Sequence, residues 1–333
     1  MSFMGDLTYD AAAYNKTSKN PAKVIIVLFL TSIITYFVIS KGISRLFEPN
    51  LISPLPNNSG IQISPAKKND DKGIIGIFNK KPKNYSPEEI LQKIDQQTQK
   101  TSGTYSVYIF DINKNTGFGI NEQMVTDAAS VNKITIIAAL YYLAGTEDID
   151  LEKIVVPQPK DISDGTGSIR YDPPGTPYSI KTLARLMMEK SDNTAAYILG
   201  SHIVGLQRIQ DLVGSWGLTQ TDMFKNTSSV KDQAKILIKV YKGEITSHAL
   251  TAEMLDFMNI SDFDDRLPKG LPEGVKIFHK TGDQVGKIHD VGIIEAPDRP
   301  YYLGVFTTDQ TNEQTTKDNI AQISKIVYEY LGG

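Results

Sequence analysis

Ser130 and Lys133 have the residue types and the spacing for nucleophilic catalysis, and they lie in the stretch TDAASVNKI at 126–134. A serine hydroxyl attacks a carbonyl carbon once a base takes its proton, and a residue at i+3 of a helix lies one turn away on the same face. A helix that begins here also directs its free N–H groups and positive dipole end at the serine. The ordinary alternative is that Ser130 caps the helix and Lys133 is a solvated side chain.

The Ser-x-x-Lys spacing by itself is weak evidence, because it occurs at 64–67, 130–133 and 228–231. The first copy contains a proline and has the composition of a linker, and the third lies close to the start of a helix with a polar face. Among the three, 130–133 is the copy that follows two alanines and opens a strongly apolar helix.

Two further short motifs contain reactive side chains. Ser191, Asp192 and Asn193 open another predicted helix, where this sequence alone is an ordinary N-cap. The stretch HKTG at 279–282 lies on a predicted strand, and its glycine allows a ligand to approach closely.

In chain order these motifs are Ser-x-x-Lys, Ser-Asp-Asn and Lys-Thr-Gly, and the trio resembles the signature of class A β-lactamases and penicillin-binding proteins. The surrounding stretches SIRYDPPGTPYSIKTLARLMMEKSDNTAAYIL and HKTGDQVGKIHDVGII look like the same family. The resemblance covers about 86–331, so the chain is identified as similar to the class A β-lactamase-like serine hydrolases.

The resemblance implies a role for each motif residue. Ser130 resembles the acylated nucleophile, Lys133 its activating partner, and Ser191 the serine that passes a proton to the leaving nitrogen. The substrate-binding positions that it implies are Asn193, Lys280, Thr281, Gly282, Asp283 and Tyr171. Acyl transfer also needs two donors for the developing oxyanion, and the backbone N–H groups of Ser130 and Asp283 match the family's positions.

For three residues near these motifs, a role in the site and an ordinary structural role are both open. Tyr171 either lines the mouth of the site or packs within its loop. His279 and His289 flank the strand that carries HKTG, and a lone histidine is most often structural.

One element of the family pattern is missing. Class A β-lactamases have a glutamate in a long loop after the Ser-Asp-Asn helix, where it activates the water that releases the acyl-enzyme. Here no glutamate occurs between Asn193 and Glu244, and the segment TQTDMFKNTSSVK contains Asp222 as its carboxylate before the next helix. Asp222 is either a substitute base or a turn residue. We expect acylation to work and deacylation to be slow.

Composition limits the remaining possibilities. The 333 residues have a formal net charge of −3, which gives no electrostatic reason to expect a nucleic acid partner. The chain has no cysteine and its four histidines show no His-x-x-x-His pattern, so we expect no metal and no cofactor.

The order of predicted elements indicates an α/β (α+β) fold of the β-lactamase/transpeptidase type. A helix and a strand hairpin come first, helical patterns dominate from about 130 to 260, and strands and a last helix follow. We therefore predict an antiparallel sheet built from N- and C-terminal segments, with an inserted helical subdomain.

The N-terminal region predicts a membrane anchor. Residues 24–40 are uncharged and apolar, at the short end of what spans a bilayer, and no small-residue cleavage site follows. The predicted organisation is a cytoplasmic tail at 1–22, a transmembrane helix at 23–41, a disordered linker at 42–84 and the hydrolase domain at 85–333. We expect a single-pass protein of the cell membrane with an extracytoplasmic catalytic domain; a cleaved signal peptide and a buried helix are the alternatives.

Three functions remain open at this point. The first is a penicillin-binding or carboxypeptidase-like enzyme, acylated at Ser130 by β-lactams or D-alanine-type cell-wall peptides that carry a carboxylate. The second is a β-lactamase with a non-standard deacylation route. The third is a sensor or binding module without turnover. The sequence does not indicate the oligomeric state.

Overall fold

The computed structural model describes residues 86–146, 148–297 and 299–331. The predicted tail at 1–22, transmembrane helix at 23–41 and linker at 42–84 lie outside these residues. Within the described ranges, no helix has both the length and the apolar character that crossing a bilayer requires.

The strands form one central sheet and two short pairs. Their bounds are β1 Thr104–Asp111, β2 Thr116–Ile120, β3 Thr126–Asp127, β4 Ile154–Val155, β5 Tyr178–Ser179, β6 Thr227–Ser228, β7 Lys276–Gln284, β8 Lys287–Glu295 and β9 Tyr301–Thr308. The central sheet has the order β2-β1-β9-β8-β7 with every neighbour antiparallel, while β3 pairs with β6 and β4 with β5. Strands from both ends of the domain therefore share one sheet, as predicted.

The helices divide between the two faces of this sheet. Their bounds are α1 Pro87–Thr98, α2 Lys133–Gly145, α3 Ile180–Glu189, α4 Asn193–Tyr197, α5 Leu206–Ser215, α6 Val230–Tyr241, α7 His248–Asn259 and α8 Glu313–Leu331. A π-helical segment, Ile198–Val204, continues α4, and 3-10 turns span Ala129–Asn132, Pro159–Asp161, Ile169–Tyr171 and Pro268–Gly270. The inserted helices α2–α7 form the predicted subdomain.

Alternation along β1 shows how the sheet separates two apolar cores. Val107 and Ile109 pack with α1 and α8 on one face, whereas Tyr108 packs with the helical subdomain on the other. A capping box begins α1: Ser86 Oγ accepts the N–H of Glu89, and the Glu89 carboxylate accepts the N–H of Ser86.

Helix α2 lies at the centre of the subdomain. Its residues from Lys133 to Tyr141 are all buried, which is the pattern of a helix surrounded by protein on every side. Because Lys133 is its first residue, the fold places an amine at the buried end of this helix. The predicted start differs by three residues, since Ser130 lies in the 3-10 turn before α2 and not in the α-helix itself.

Candidate active site

Ser130 lies on a tightly held turn between β3 and α2. The N–H of Ala129 donates to Asp127 Oδ1 at 2.9 Å, and Asn226 Nδ2 donates to the carbonyl of Ala129 at 3.2 Å. Ala129 has a φ of +48°, a left-handed conformation that costs a residue with a Cβ about 1–2 kcal/mol. Backbone strain of this kind is typical of functional sites.

Lys133 is buried and directed at the Ser-Asp-Asn motif. Its Nζ lies 2.6 Å from the carbonyl oxygen of Ser191, 3.1 Å from Ser191 Oγ and 2.8 Å from Asn193 Oδ1. Ser130 and Lys133 both line a cavity of about 480 Å³. The solvated-lysine alternative is therefore wrong, since the Lys133 residue is only 6% exposed.

Lys280 reaches the same serine hydroxyl from the central sheet. It lies on β7, and its Nζ is 3.1 Å from Ser191 Oγ and 3.1 Å from the carbonyl oxygen of Thr281. The structure thus brings all three motifs together around Ser191, although they are far apart in the chain.

The two buried lysines differ in how readily they hold a proton. Burial lowers the pKa of Lys133 well below its usual value, and the positive charge of Lys280 lowers it further, while Asp192 opposes the shift. Burial lowers the pKa of Lys280 to about 8, and Asp290 limits that shift. Lys133 is thus the lysine suited to act as a base, and Lys280 is the one suited to remain cationic at neutral pH.

The loop over the site is fixed by the buried carboxylate of Asp192. This side chain caps α4 by accepting the N–H of Ala195, and it also accepts the N–H groups of Ser168 and Ile169. A Cβ on Gly167 would lie 2.2 Å from Asp192 Oδ2, so only glycine fits this close approach. Asp192 therefore couples the conformation of Ser191 to the loop in front of it.

The glycine of HKTG allows β7 to contact the nucleophile's turn. A Cβ on Gly282 would lie 2.9 Å from the carbonyl oxygen of Ala128 and 3.2 Å from the backbone nitrogen of Ser130. Thr281 is buried beside it, and Asp283 lines the cavity with Ser130. This contact supports the expectation that the N–H groups of Ser130 and Asp283 serve one oxyanion.

A buried arginine behind this strand had no recognisable signal in the sequence. Arg266 is fully buried, and its guanidinium forms a two-point ion pair with Asp283, at 2.8 and 2.9 Å. It also donates to the carbonyl oxygen of His289 and to Asp265. Arg266 precedes β7 in an irregular segment, so no periodicity or motif marks it.

His279 and His289 are both buried, and each is held by hydrogen bonds to other protein groups. His279 lies between Asp290 and Asp264, at 3.0 and 3.1 Å. His289 Nδ1 accepts the N–H of Thr307, so its Nε2 carries the proton and donates to the carbonyl of Asp127 at 2.9 Å. Burial lowers the pKa of His289 to about 4, which keeps this ring neutral.

Tyr171 lies on an exposed turn. It ends the 3-10 turn Ile169–Tyr171 with 77% of its surface exposed, and Arg170 stacks over its ring at 5.3 Å. The structure does not place Tyr171 among the described residues that line the Ser130 cavity.

Asp222 occupies a turn and is not among the described residues that line the Ser130 cavity. Its Oδ1 accepts the N–H groups of Phe224 and Lys225, and its Oδ2 forms an ion pair with Lys225 at 3.0 Å. These contacts lower the pKa of the Asp222 carboxyl, with the Lys225 N–H as the largest cause. Its neighbours Met223 and Asn226 line the cavity instead.

Asn226 is held by a chain of amides. Gln233 Nε2 donates to Asn132 Oδ1, and Asn132 Nδ2 donates to Asn226 Oδ1, both at 2.9 Å. Neither Gln233 nor Asn226 belongs to a motif, although an Asn-Thr-Ser-Ser turn before a helix marks the region as a loop.

Comparisons with known proteins agree with this geometry. A family model described as "Beta-lactamase enzyme family" matches residues 86–331. The chain is 26% identical over 227 residues to the extended-spectrum beta-lactamase PER-1 of Pseudomonas aeruginosa, covering 60% of this chain and 74% of that protein.

Solved structures give the same result. The structure of PBP-A has a TM-score of 0.68 and 28% sequence identity, covering 72% of this chain and 94% of that one. A mutant of PBP-A, solved as an acyl-enzyme complex with penicillin-G, has a TM-score of 0.69 and 27% identity, covering 74% and 98%. With the three motifs meeting at Ser191, the match over 86–331 shows that the chain belongs to the beta-lactamase enzyme family as a class A-like serine hydrolase.

Proposed function

We propose that this protein is an acyl-transfer enzyme of the penicillin-binding type. It forms an acyl-enzyme on Ser130 with β-lactams and with cell-wall peptides that end in D-alanine, and it releases the acyl group slowly. A cationic Lys280 beside Thr281 suits substrates that carry a carboxylate. The penicillin-G acyl-enzyme of the PBP-A mutant supports this substrate class, as does the similarity to PER-1, an extended-spectrum beta-lactamase.

Acylation needs only groups that surround Ser130. Neutral Lys133 takes the proton of Ser130 Oγ as this oxygen attacks the carbonyl carbon, and the N–H groups of Ser130 and Asp283 stabilise the oxyanion. When the carbon–nitrogen bond breaks, Ser191 gives its proton to the leaving nitrogen and regains one from the Lys133 ammonium. The 3.1 Å contact between Lys133 Nζ and Ser191 Oγ provides that route.

Slow deacylation is inferred from the partners of the carboxylates in the cavity. Among the described residues that line the cavity, Asp127 and Asp283 have carboxylates. Asp127 accepts the N–H of Ala129 and lies 3.9 Å from Lys287 Nζ, and Asp283 is paired with Arg266. Because both carboxylates already serve the turn or an ion pair, we infer that neither activates a water and that deacylation is slow.

Intact-mass spectrometry tests this proposal. The purified full-length protein is mixed with benzylpenicillin and sampled over time, with Ser130→Ala as the control. We expect one covalent adduct that persists for many minutes and is absent from the variant. Rapid turnover of a chromogenic β-lactam would establish a β-lactamase instead, and the absence of any adduct would favour a non-covalent sensor.

We also propose that residues 23–41 anchor the hydrolase domain to the membrane, with that domain outside the cytoplasm. The support is the uncharged run at 24–40 and the Pro-, Asn- and Lys-rich stretch that follows it. Membrane fractionation, combined with protease digestion of intact cells, tests both parts. Recovery of the protein in the soluble fraction would contradict the anchor.

A further inference from the structure

A chain of side-chain amides connects helix α6 to the peptide bond in front of the nucleophile. Gln233 of α6 donates from Nε2 to Asn132 Oδ1, and Asn132 donates from Nδ2 to Asn226 Oδ1, both at 2.9 Å. Asn226 donates from Nδ2 to the carbonyl oxygen of Ala129 at 3.2 Å. This carbonyl belongs to the peptide bond between Ala129 and Ser130, so the chain ends on the backbone of the nucleophile. We call the side chains of Gln233, Asn132 and Asn226 the amide chain.

The last acceptor of the amide chain fixes the orientation of every member. A carbonyl oxygen only accepts, so Asn226 turns its Nδ2 towards Ala129 and is left with Oδ1 for Asn132. Asn132 must then turn its Nδ2 to Asn226 and its Oδ1 to Gln233. The second N–H of Gln233 donates to Ser228 Oγ at 3.0 Å, and no described residue donates to Gln233 Oε1. The amide chain is therefore directional, since each member donates towards the nucleophile.

This direction affects the N–H of Ser130, which is one of the two expected oxyanion donors. A trans peptide bond is planar, so its C=O and N–H point in opposite directions. A donor that holds the Ala129 carbonyl therefore also sets where the Ser130 N–H points. The same bond strengthens that N–H as a donor, because hydrogen bonds in a chain polarise one another. The N–H of Ala128 donates to the backbone carbonyl of Asn226 at 2.9 Å, so Asn226 holds the left-handed Ala129 from both sides.

Gln233 acts on this turn only through the other two amides. Gln233 is fully buried, Asn132 is 2% exposed, and Gln233 is not among the described residues that line the Ser130 cavity. A substrate in that cavity therefore does not contact Gln233. Any effect of Gln233 on the reaction passes through Asn132 and Asn226.

We propose that the amide chain orients the Ser130 N–H for the developing oxyanion, and that Gln233 is the positioning residue at its far end. This inference rests on the proposed function, because it concerns acylation at Ser130. An oxyanion donor acts on the transition state more than on the bound substrate. The amide chain therefore contributes to the maximal rate constant of acylation and leaves substrate binding unchanged.

Gln233→Glu tests the direction of the amide chain. A carboxylate only accepts, so Asn132 must turn its Nδ2 to the new side chain and its Oδ1 to Asn226. Asn226 then turns its Oδ1 to the Ala129 carbonyl, where two acceptors repel each other. Gln233→Met has nearly the shape of glutamine and removes the donor without reversing the chain. Ser228→Ala is the matched control, because it removes the other partner of Gln233 at a fully buried position and leaves the amide chain intact.

Acylation of the full-length proteins by benzylpenicillin is followed by intact mass at several concentrations, which gives the maximal rate constant and the half-saturating concentration. Urea denaturation measures the stability of each variant. We expect Gln233→Glu to lower the maximal rate constant by at least about tenfold and Gln233→Met by at least about threefold, since loss of an oxyanion donor costs about 10²–10³-fold. The half-saturating concentration of each variant, and the rate constant of Ser228→Ala, should change less than about twofold.

A loss of less than about threefold in Gln233→Met would overturn the proposal, and this variant decides the matter if Gln233→Glu does not fold. An equal loss in Ser228→Ala would also overturn it, because the rate constant would then follow stability alone. So would a change confined to the half-saturating concentration. A wild-type protein that forms no adduct would instead overturn the proposed function.

Discussion

Lys133 and Lys280 approach the same acceptor, because each Nζ lies 3.1 Å from Ser191 Oγ. A hydroxyl oxygen has two lone pairs, so it can accept from both lysines and keep its own proton for donation. Two ammonium groups around one oxygen repel each other. This repulsion favours the neutral form of Lys133, whose pKa lies well below its usual value. The pair therefore divides into a base and a fixed cation around one proton donor.

Met223→Glu is expected to speed deacylation. Met223 lines the Ser130 cavity, where the carboxylates already present are engaged elsewhere, so a glutamate there would add a free base. General-base catalysis contributes about 10²–10⁴-fold, and we expect at least a tenfold shorter lifetime of the benzylpenicillin adduct. The measurement is the decay of the adduct by intact mass after free β-lactam is removed.

Two variants control for that result. Met223→Gln has nearly the shape of glutamate but no charge, and we expect it to leave the adduct's lifetime unchanged. Asp222→Asn is also expected to leave it unchanged, since this side chain caps its own turn. If Asp222→Asn lengthened the lifetime tenfold, Asp222 would be the deacylating base and the proposed carboxylate assignment would be wrong.

Acylation is expected to weaken as pH rises through about 8. Burial, with Arg266, lowers the pKa of Lys280 to about 8 against the opposing effects of Asp290 and Asp283. Above this pH Lys280 loses the charge that attracts the substrate carboxylate, so the acylation rate constant at low benzylpenicillin concentration falls. Lys280→Arg keeps its charge and should lack this decline; an identical decline in that variant would contradict the assignment.

The free energy of unfolding is expected to fall between neutral and alkaline pH because of His279. Burial disfavours its protonation, but Asp290 and Asp264 outweigh that effect and raise its pKa from 6.5 to about 9. The folded state therefore keeps a proton that the unfolded state has lost. This stabilisation is complete below pH 6.5 and is lost as pH rises through about 9.

Urea denaturation of the wild type and His279→Gln measures this effect. The wild type should lose stability between pH values below 6.5 and above 9, and the variant should show a smaller slope over the same interval. Equal slopes for the two proteins would show that other groups are responsible.

Removing the buried arginine is expected to destabilise the domain strongly. Arg266→Met leaves Asp283 and the His289 carbonyl without their guanidinium donor, and breaking such a pair costs about 3–5 kcal/mol. Because the Asp283 side chain is 41% exposed, we expect the lower end of that range. Urea denaturation measures it, and Arg266→Lys, which keeps the charge but not the fork, should be intermediate. A variant as stable as the wild type would contradict the role of this ion pair.

The sequence was most informative where local patterns have a direct structural cause. The first hairpin, the helical run from about 130 to 260 and the strands after it required no knowledge of distant residues, and they formed in the predicted order. The start of α2 was displaced because β3 and the Asn226 network impose a tight turn on residues 129–132. Hydrophobic periodicity cannot detect such a constraint.

By itself the sequence determined the order of elements, the residue types able to perform acyl transfer and the absence of a glutamate between Asn193 and Glu244. The tertiary structure decided which of these residues meet. It buried Lys133 and Lys280 beside one hydroxyl, paired Asp283 with Arg266, engaged Asp222 in its own turn and placed Met223 on the cavity wall. Side-chain direction and burial set the pKa values of the groups in a site and decide which of its carboxylates are unpaired. Direction and burial both depend on contacts between residues far apart in the chain.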